Sequence, residues 1–473
     1  MTLHRRALLA AASLILPATA FAQVPGPIKF KPSRGDEVDA ERGVFEVPED
    51  RTDPKSRRIK LTYVRFPSTA AKPGPPIIYL AGGPGGTATG TAQGARFPIF
   101  MALREVSDVI AFDQRGTGLS NHIPLRPRPQ VPPPIFTREG LTAHVRRNFA
   151  SAWEDWTKAG VAMRGYNTNE SADDVDDLRK HLGAERMHLW GISYGSHLGL
   201  AILKRHGDKV DRVSLASLEG LNQTVKSPAQ WDVYLRQVEA LMHTDPEARA
   251  AVPDMLALMR RVHTRMEADP VRMQVRLGAG GPADVQVGGF AVQMLAGSLA
   301  ANPNTLAMLP GLYRALDAGD TKAFAGFAGQ MGGLLDISGM PETMDLASGI
   351  SPRDLVRIER EAKTAVIGDA LNFPMPHLLG VVPGVDLGEG FRARFKIPNR
   401  TMLVAGSLDG RTVLAGQAEV ASQFTNKSQI LVENAGHNVF EAHPEVQTLL
   451  VRFFKGEAVG DTKLSLPPPK FRV

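Results

Sequence analysis

The sequence predicts an α/β protein: a mostly parallel central sheet flanked by helices, with an inserted helical cap. Three observations carry this expectation. Short apolar strands alternate with helices from Ile59 to Leu218, apolar residues then recur at helical spacing from Pro228 to about Lys363, and strand patterning returns at Arg400. A chain of 473 residues is long enough for a large core and more than one structural unit. Charged residues at 22% and hydrophobic residues at 43% exclude a disordered or fibrous protein.

The first strand is Ile59 to Phe66, alternating and rich in Val, Thr and Tyr. Pro76 to Leu80 is a short, continuous apolar strand that runs into Gly82-Gly83-Pro84-Gly85-Gly86. Asp108 to Phe112 is the next buried strand and ends in Asp113-Gln114-Arg115-Gly116, read as scaffold whose Asp and Arg tie the turn to neighbouring loops. A proline-rich surface loop, Pro124 to Pro134, follows. Helices are expected at Leu141 to Lys158 and Ser171 to Leu182, a strand at Met187 to Gly191, a helix at Tyr194 to Arg205 and a strand at Val210 to Leu218. In the insertion, Val252 to Met266 and Leu306 to Leu316 carry helical spacing, and glycine-rich loops fall at Gly278 to Gly281 and Gly332 to Gly333. Strands at Arg400 to Ala405 and Gln429 to Val432 and a helix at Pro444 to Phe454 complete the fold.

These elements divide the chain. Residues 1–22 are a segment to be removed, 23–220 the first part of the sheet domain, 221–395 the inserted helical cap, 396–460 the second part of the sheet domain and 461–473 a C-terminal tail, loose at Pro467 to Pro469.

Arg5 and Arg6, the apolar run Ala7 to Ile15 and the small-x-small site Ala20-Phe21-Ala22 read as a signal peptide. The mature chain would begin at Gln23, exported to the periplasm or outside the cell by the general or the twin-arginine route. The apolar run is too short to span a bilayer, and no later segment reaches ~18 uncharged apolar residues, so no membrane insertion is expected after cleavage. The formal charge of +6 falls to +4 without Arg5 and Arg6 and is spread along the chain. With no basic stripe and no nucleic-acid motif, no nucleic-acid partner is expected. The chain has no cysteine, which excludes disulfides, thiolate catalysis and cysteine metal sites.

The chemistry centres on Gly191-Ile192-Ser193-Tyr194-Gly195, a G-x-S-x-G pentapeptide between an apolar strand and an apolar helix. A serine on that sharp turn is exposed for attack, and larger residues two positions away would clash. The bland alternative is an ordinary turn with a capping serine. A serine hydroxyl needs a base to become a nucleophile. His437, in Ala435-Gly436-His437-Asn438 after the last strand, is the candidate. His197 lies just inside the helix after Ser193 and is read as structural. The acid that orients the base should lie between them at a strand end, and Asp409 fits, in Gly406-Ser407-Leu408-Asp409. Glu433 is the runner-up, with a solvated strand-end charge as its simpler reading.

An oxyanion needs two amide donors. Tyr194, next to the nucleophile, supplies one, and Gly83 in the glycine run is the candidate for the other, with Gly82 and Gly85 as alternatives. The run lacks the Lys-Ser/Thr of a phosphate-binding loop. Such a site needs no metal and no organic cofactor.

Gly-Gly-Pro-Gly-Gly, Phe-Asp-Gln-Arg-Gly-Thr-Gly-Leu-Ser and Trp-Gly-Ile-Ser-Tyr-Gly-Ser together resemble the proline iminopeptidase and tripeptidyl aminopeptidase branch of the α/β-hydrolases. The likeness covers roughly Val44 to Gly220 and Ile397 to Phe454. It implies exopeptidase action on free N-termini, with Ser193, Asp409 and His437 matching the family triad. It also implies a helical cap whose acidic residues hold the substrate amine. Glu219, at the end of a core strand, is the first candidate for that role, followed by Asp232, Glu342 and Asp345. Leu80-Ala81 before the glycines and Gly410-Arg411-Thr412-Val413 after the acid depart from the family pattern and leave substrate preference open. The expected partner is a short peptide or small acyl substrate. An esterase or amidase would use the same triad, and a binding protein that had lost catalysis would be expected to lack a triad member.

Overall fold

The computed structural model describes residues 24–124, 136–276, 282–322, 324–325 and 336–473. The expected signal segment, most of the proline-rich loop and the two glycine-rich loops of the insertion lie outside them.

Ten strands form one sheet. They are β1 (Gly26–Phe30), β2 (Val38–Pro48), β3 (Arg58–Phe66), β4 (Ile77–Leu80), β5 (Val109–Asp113), β6 (Met187–Ile192), β7 (Val210–Ala216), β10 (Arg400–Gly406), β11 (Lys427–Glu433) and β12 (Thr462–Ser465). Their order is β1-β2-β3-β5-β4-β6-β7-β10-β11-β12. The β1–β2, β2–β3 and β3–β5 pairs are antiparallel. From β5 onward every neighbouring pair is parallel.

Residue type explains this split. β4, β5 and β6 are buried at every position, as strands covered by helices on both faces must be. Arg58–Phe66 keeps an exposed residue at every other position of its first half, as suits a strand nearer the edge. One face of the sheet packs on helices Arg138–Lys158, Thr168–His181 and Tyr194–His206. The other packs on Phe97–Leu103 and Pro444–Lys455.

Between β7 and β10 the described residues are largely helical, with Pro228–Met242, Met255–Ala268, Gly289–Leu299, Leu309–Asp317, Met340–Ser348 and Pro352–Ala362. Residues 231–316 of this stretch supply most of a hydrophobic core of their own. Met340, Met344, Leu346 and Ile358 instead join the core under the sheet.

Three expectations need correction. The insertion also contains an antiparallel hairpin, β8 (Val271–Arg276) with β9 (Pro282–Val287). Its strands are only six residues each, too short for periodicity to separate from a helix. The tail 461–473 is not wholly outside the sheet domain, because β12 pairs with β11 and extends the sheet. β1 and β2 precede the first expected strand. Their pattern is blurred because they lie at the sheet edge and are half solvated.

Candidate active site

Ser193 sits between β6 and the helix Tyr194–His206 with φ 58° and ψ −128°. A serine pays strain for that backbone, and such strain clusters at functional sites. The flanking glycines are a steric requirement. A Cβ on Gly191 would lie 2.6 Å from the Gly195 carbonyl oxygen, and one on Gly195 would run into the Leu80 carbonyl. The elbow is pinned by the Ser193 amide, which donates to the Ala216 carbonyl at 3.0 Å. Among the described residues, two other non-glycine residues have positive φ, Ser217 at 48° and Asn434 at 62°. Both stand just past strand ends that face the same region. The Ser217 hydroxyl donates to the His437 carbonyl at 2.9 Å, and the Asn434 amide donates to Ser407 Oγ at 2.8 Å.

His437 and Asp409 come together from loops after β11 and β10. His437 Nδ1 lies 3.0 Å from both carboxylate oxygens of Asp409. The amides of Arg411 and Thr412 donate to Asp409 Oδ1, each at 2.9 Å, and the Thr412 hydroxyl donates to Oδ2 at 2.7 Å. Burial alone would raise the Asp409 carboxyl. The charge and hydrogen bond of His437 and the Thr412 donors outweigh it and hold the group below its ordinary value.

The insertion braces both loops. The Gly410 amide donates to the Ala300 carbonyl at 3.1 Å and the His437 amide to the Ala301 carbonyl at 2.8 Å. Trp231 Nε1 donates to the Gly410 carbonyl at 3.1 Å, and the Tyr234 hydroxyl donates to the Leu408 carbonyl at 3.2 Å.

The glycine run after β4 passes over the nucleophile. A Cβ on Gly82 would stand 3.0 Å from the Ile192 carbonyl oxygen and 3.2 Å from Ser193 Cβ, a tight fit that glycine avoids. Gly83 and Gly85 have φ of 127° and 94°, open to glycine alone at low cost. The Tyr194 amide opens the helix, where the first amides have no partner within the helix. Helix Met340–Ser348 roofs this side. Pro341 abuts Gly85, and the Tyr194 hydroxyl donates to Met344 Sδ at 3.2 Å.

The scaffold reading of the Asp113 turn holds. Asp113 accepts from the Thr89 and Leu119 amides at 3.0 and 2.8 Å. The fully buried Arg115 pairs with Asp174 at 2.7 Å and donates to the Gly165 carbonyl at 2.5 Å. His197 is structural, with its ring nitrogens at 3.1 Å from the Gly220 carbonyl and 3.0 Å from Ser348 Oγ. Glu433 is far from a triad role, since it binds Lys463 at 2.7 Å and the Ser465 hydroxyl at 2.7 Å on β12.

The four candidate acids part ways. Asp232 accepts from the Val366 amide at 2.9 Å and meets Arg260 at 3.3 Å. Glu342 caps its own helix through the Gly339 amide at 2.7 Å. Glu219 is buried and pairs with Lys226 at 3.2 Å. Asp345, deep in the roof helix but in part accessible, has no hydrogen bond or ion pair to its carboxylate among the described residues. Burial, then the negative charges of Glu219 and Glu342, push its pKa up to about 8 against the opposing charges of Lys226 and Arg411. Sequence placed Asp345 last of the four, because Glu219, Lys226 and Arg411, whose charges reach it, come from distant segments. Lys226 and Thr412 gave no signal at all.

Sheet order, strained elbow and late acid and histidine loops define the α/β-hydrolase fold. Residues 75–273 match the family model described as alpha/beta hydrolase fold. The chain is 29% identical over 182 residues to the serine protease Hip1 of Mycobacterium tuberculosis (strain ATCC 25618 / H37Rv), covering 36% of this chain and 34% of that one. It is 26% identical over 194 residues to the tripeptidyl aminopeptidase of Streptomyces lividans, with 37% and 35% covered. It is 26% identical over 206 residues to the proline iminopeptidase of Arabidopsis thaliana, with 42% of each covered. The matches thus span about a third to two fifths of these relatives' length.

Proposed function

We propose that this protein is a serine hydrolase acting as an aminopeptidase on short peptides with free N-termini. The observation that carries the chemistry is the strained Ser193 elbow, with the His437–Asp409 pair on the adjoining strand ends. In the proposed mechanism His437 accepts the Ser193 proton as Oγ attacks a carbonyl. The amides of Gly83 and Tyr194 hold the oxyanion, His437 protonates the leaving amine, and water hydrolyses the acyl-enzyme. Asp409 keeps the imidazole oriented and stabilises the imidazolium.

Two things favour a peptide with a free amine. The relatives are named as peptidases, and the Asp345 carboxylate, close enough to Tyr194 to act on it and without a partner among the described residues, can attract a cation. Glu219 adds negative potential there, although Lys226 holds its carboxylate. A bound ammonium favours ionised Asp345, so substrate binding draws its proton off. Cap residues above the elbow limit access to small substrates.

Chromogenic amides of one and three residues, free or N-blocked, together with a short acyl ester, test this reading. Cleavage of the free-amine peptides and not the blocked ones is expected. Cleavage of the ester alone would establish an esterase on the same triad. Export follows from the signal-like residues 1–22, and N-terminal sequencing of secreted protein starting at Gln23 is the expected result.

A further inference from the structure

Beside the site, beyond Glu219 and the Asp409 loop, lies a cavity of about 360 Å³ between the sheet domain and the insertion. Glu219, Lys226, Trp231, Arg357, Arg411 and Gln417 are among its lining residues. Its other charges are spoken for. Lys226 pairs with Glu219 at 3.2 Å, Arg357 with Asp354 at 3.3 Å and with Glu361 at 2.8 Å. Glu419 accepts from Gln230 at 2.7 Å. Arg411 is the exception among the described lining residues. Its backbone amide is fixed to Asp409 Oδ1 at 2.9 Å, while its guanidinium has no ion pair or hydrogen bond.

An arginine whose main chain is anchored two residues from Asp409, and whose exposed head is unpaired at a cavity wall among the described residues, is available to an anion. The guanidinium fork matches a carboxylate in a bidentate pair. It is also near enough to Asp345 for its charge to act on that carboxyl. Among the described residues, Asp345 near the nucleophile and Arg411 at the cavity wall thus each lack a charged or hydrogen-bonding side-chain partner.

We propose that Arg411 binds a carboxylate of the substrate, so that the enzyme selects peptides bearing both a free amine and a nearby negative group. This deepens the aminopeptidase reading and rests on it. The carboxylate can come from the C-terminus of a very short peptide or from an acidic side chain, and both present the same chemistry.

The experiment compares kcat/KM for substrate pairs that differ only in that charge. One pair is trialanine as free acid and as amide. A second is a set of tripeptide p-nitroanilides with Glu or Gln at each position in turn. A third, for turnover without an amine, is a p-nitrophenyl monoester of glutarate against p-nitrophenyl butyrate. In the wild type at least one pair is expected to favour the carboxylate by about 10- to 100-fold, the scale of one charge-assisted hydrogen-bonded pair. Arg411→Gln is expected to collapse that ratio towards one, and Arg411→Lys to restore part of it. Equal rates across every pair in the wild type, or a preference that survives Arg411→Gln, would overturn the proposal. If peptides are not turned over, the aminopeptidase reading fails by itself and the ester pair still decides the role of Arg411.

Discussion

Two carboxylates, one on a sheet loop and one on a helix of the insertion, differ in what surrounds them. Asp409 lies on a loop after a sheet strand, with two amides, a hydroxyl and an imidazole around it. Asp345 lies on a helix of the insertion with no donor to its carboxylate among the described residues. The first is held ionised and below its ordinary pKa; the second is pushed up to about 8. A carboxylate saturated with donors can orient another group but has no capacity left for a ligand. One left without donors is costly to the empty protein and open to a cation. On the proposed function, the difference separates a part of the machinery from a part of the binding site.

The pH dependence of stability follows with opposite signs. The depressed Asp409 adds stability above the unfolded carboxylate pKa, and that stability is lost as pH falls through its folded pKa. The raised Asp345 favours the fold below about pH 4, and that contribution is lost as pH rises through about 8.

Substitutions sharpen the contrast. Ser193→Ala is expected to lower kcat by about 10⁴- to 10⁶-fold, measured with the best substrate of the panel. Asp409→Asn, which keeps the shape and loses the charge, is expected to cost about 10⁴-fold in kcat with little change in KM. Asp345→Asn is expected to act on KM, raising it about 10- to 100-fold for free-amine peptides relative to esters. If Asp345→Asn instead lowers kcat for both substrate types alike, the division between the two carboxylates fails. The same variant is expected to raise the thermal midpoint by about 2–4 °C at pH 8 and by less at pH 4. Glu433→Gln, at a carboxylate that pairs with Lys463 and Ser465 of β12, is expected to stay within about twofold of wild type in kcat/KM.

The two regions were not equally legible in the sequence. The elbow, the glycine run and the loops of Asp409 and His437 are local motifs, each a strand end followed by residues whose sizes the turn dictates. Gly195 is needed because Leu80 lies against it, and that demand is written in the pentapeptide itself. The Asp345 region is tertiary. Whether Asp232, Glu342 or Asp345 is free depends on the Val366 amide, the Gly339 amide and the placement of Glu219 and Lys226. Nor could spacing reveal that Ala300 and Ala301 would brace the Asp409 and His437 loops, since the contacts are backbone carbonyls without side-chain signature. The hairpin β8–β9 escaped for a related reason, because short strands in a helical context carry too few residues to show their period.

The central claim is that Ser193 is a nucleophile activated by His437 and Asp409. Covalent labelling with a fluorophosphonate, followed by peptide mapping, tests it most directly. A single adduct on Ser193, absent in Ser193→Ala and formed far more slowly in Asp409→Asn, is the expected result. An adduct on another residue, or hydrolysis that persists in Ser193→Ala, would contradict it.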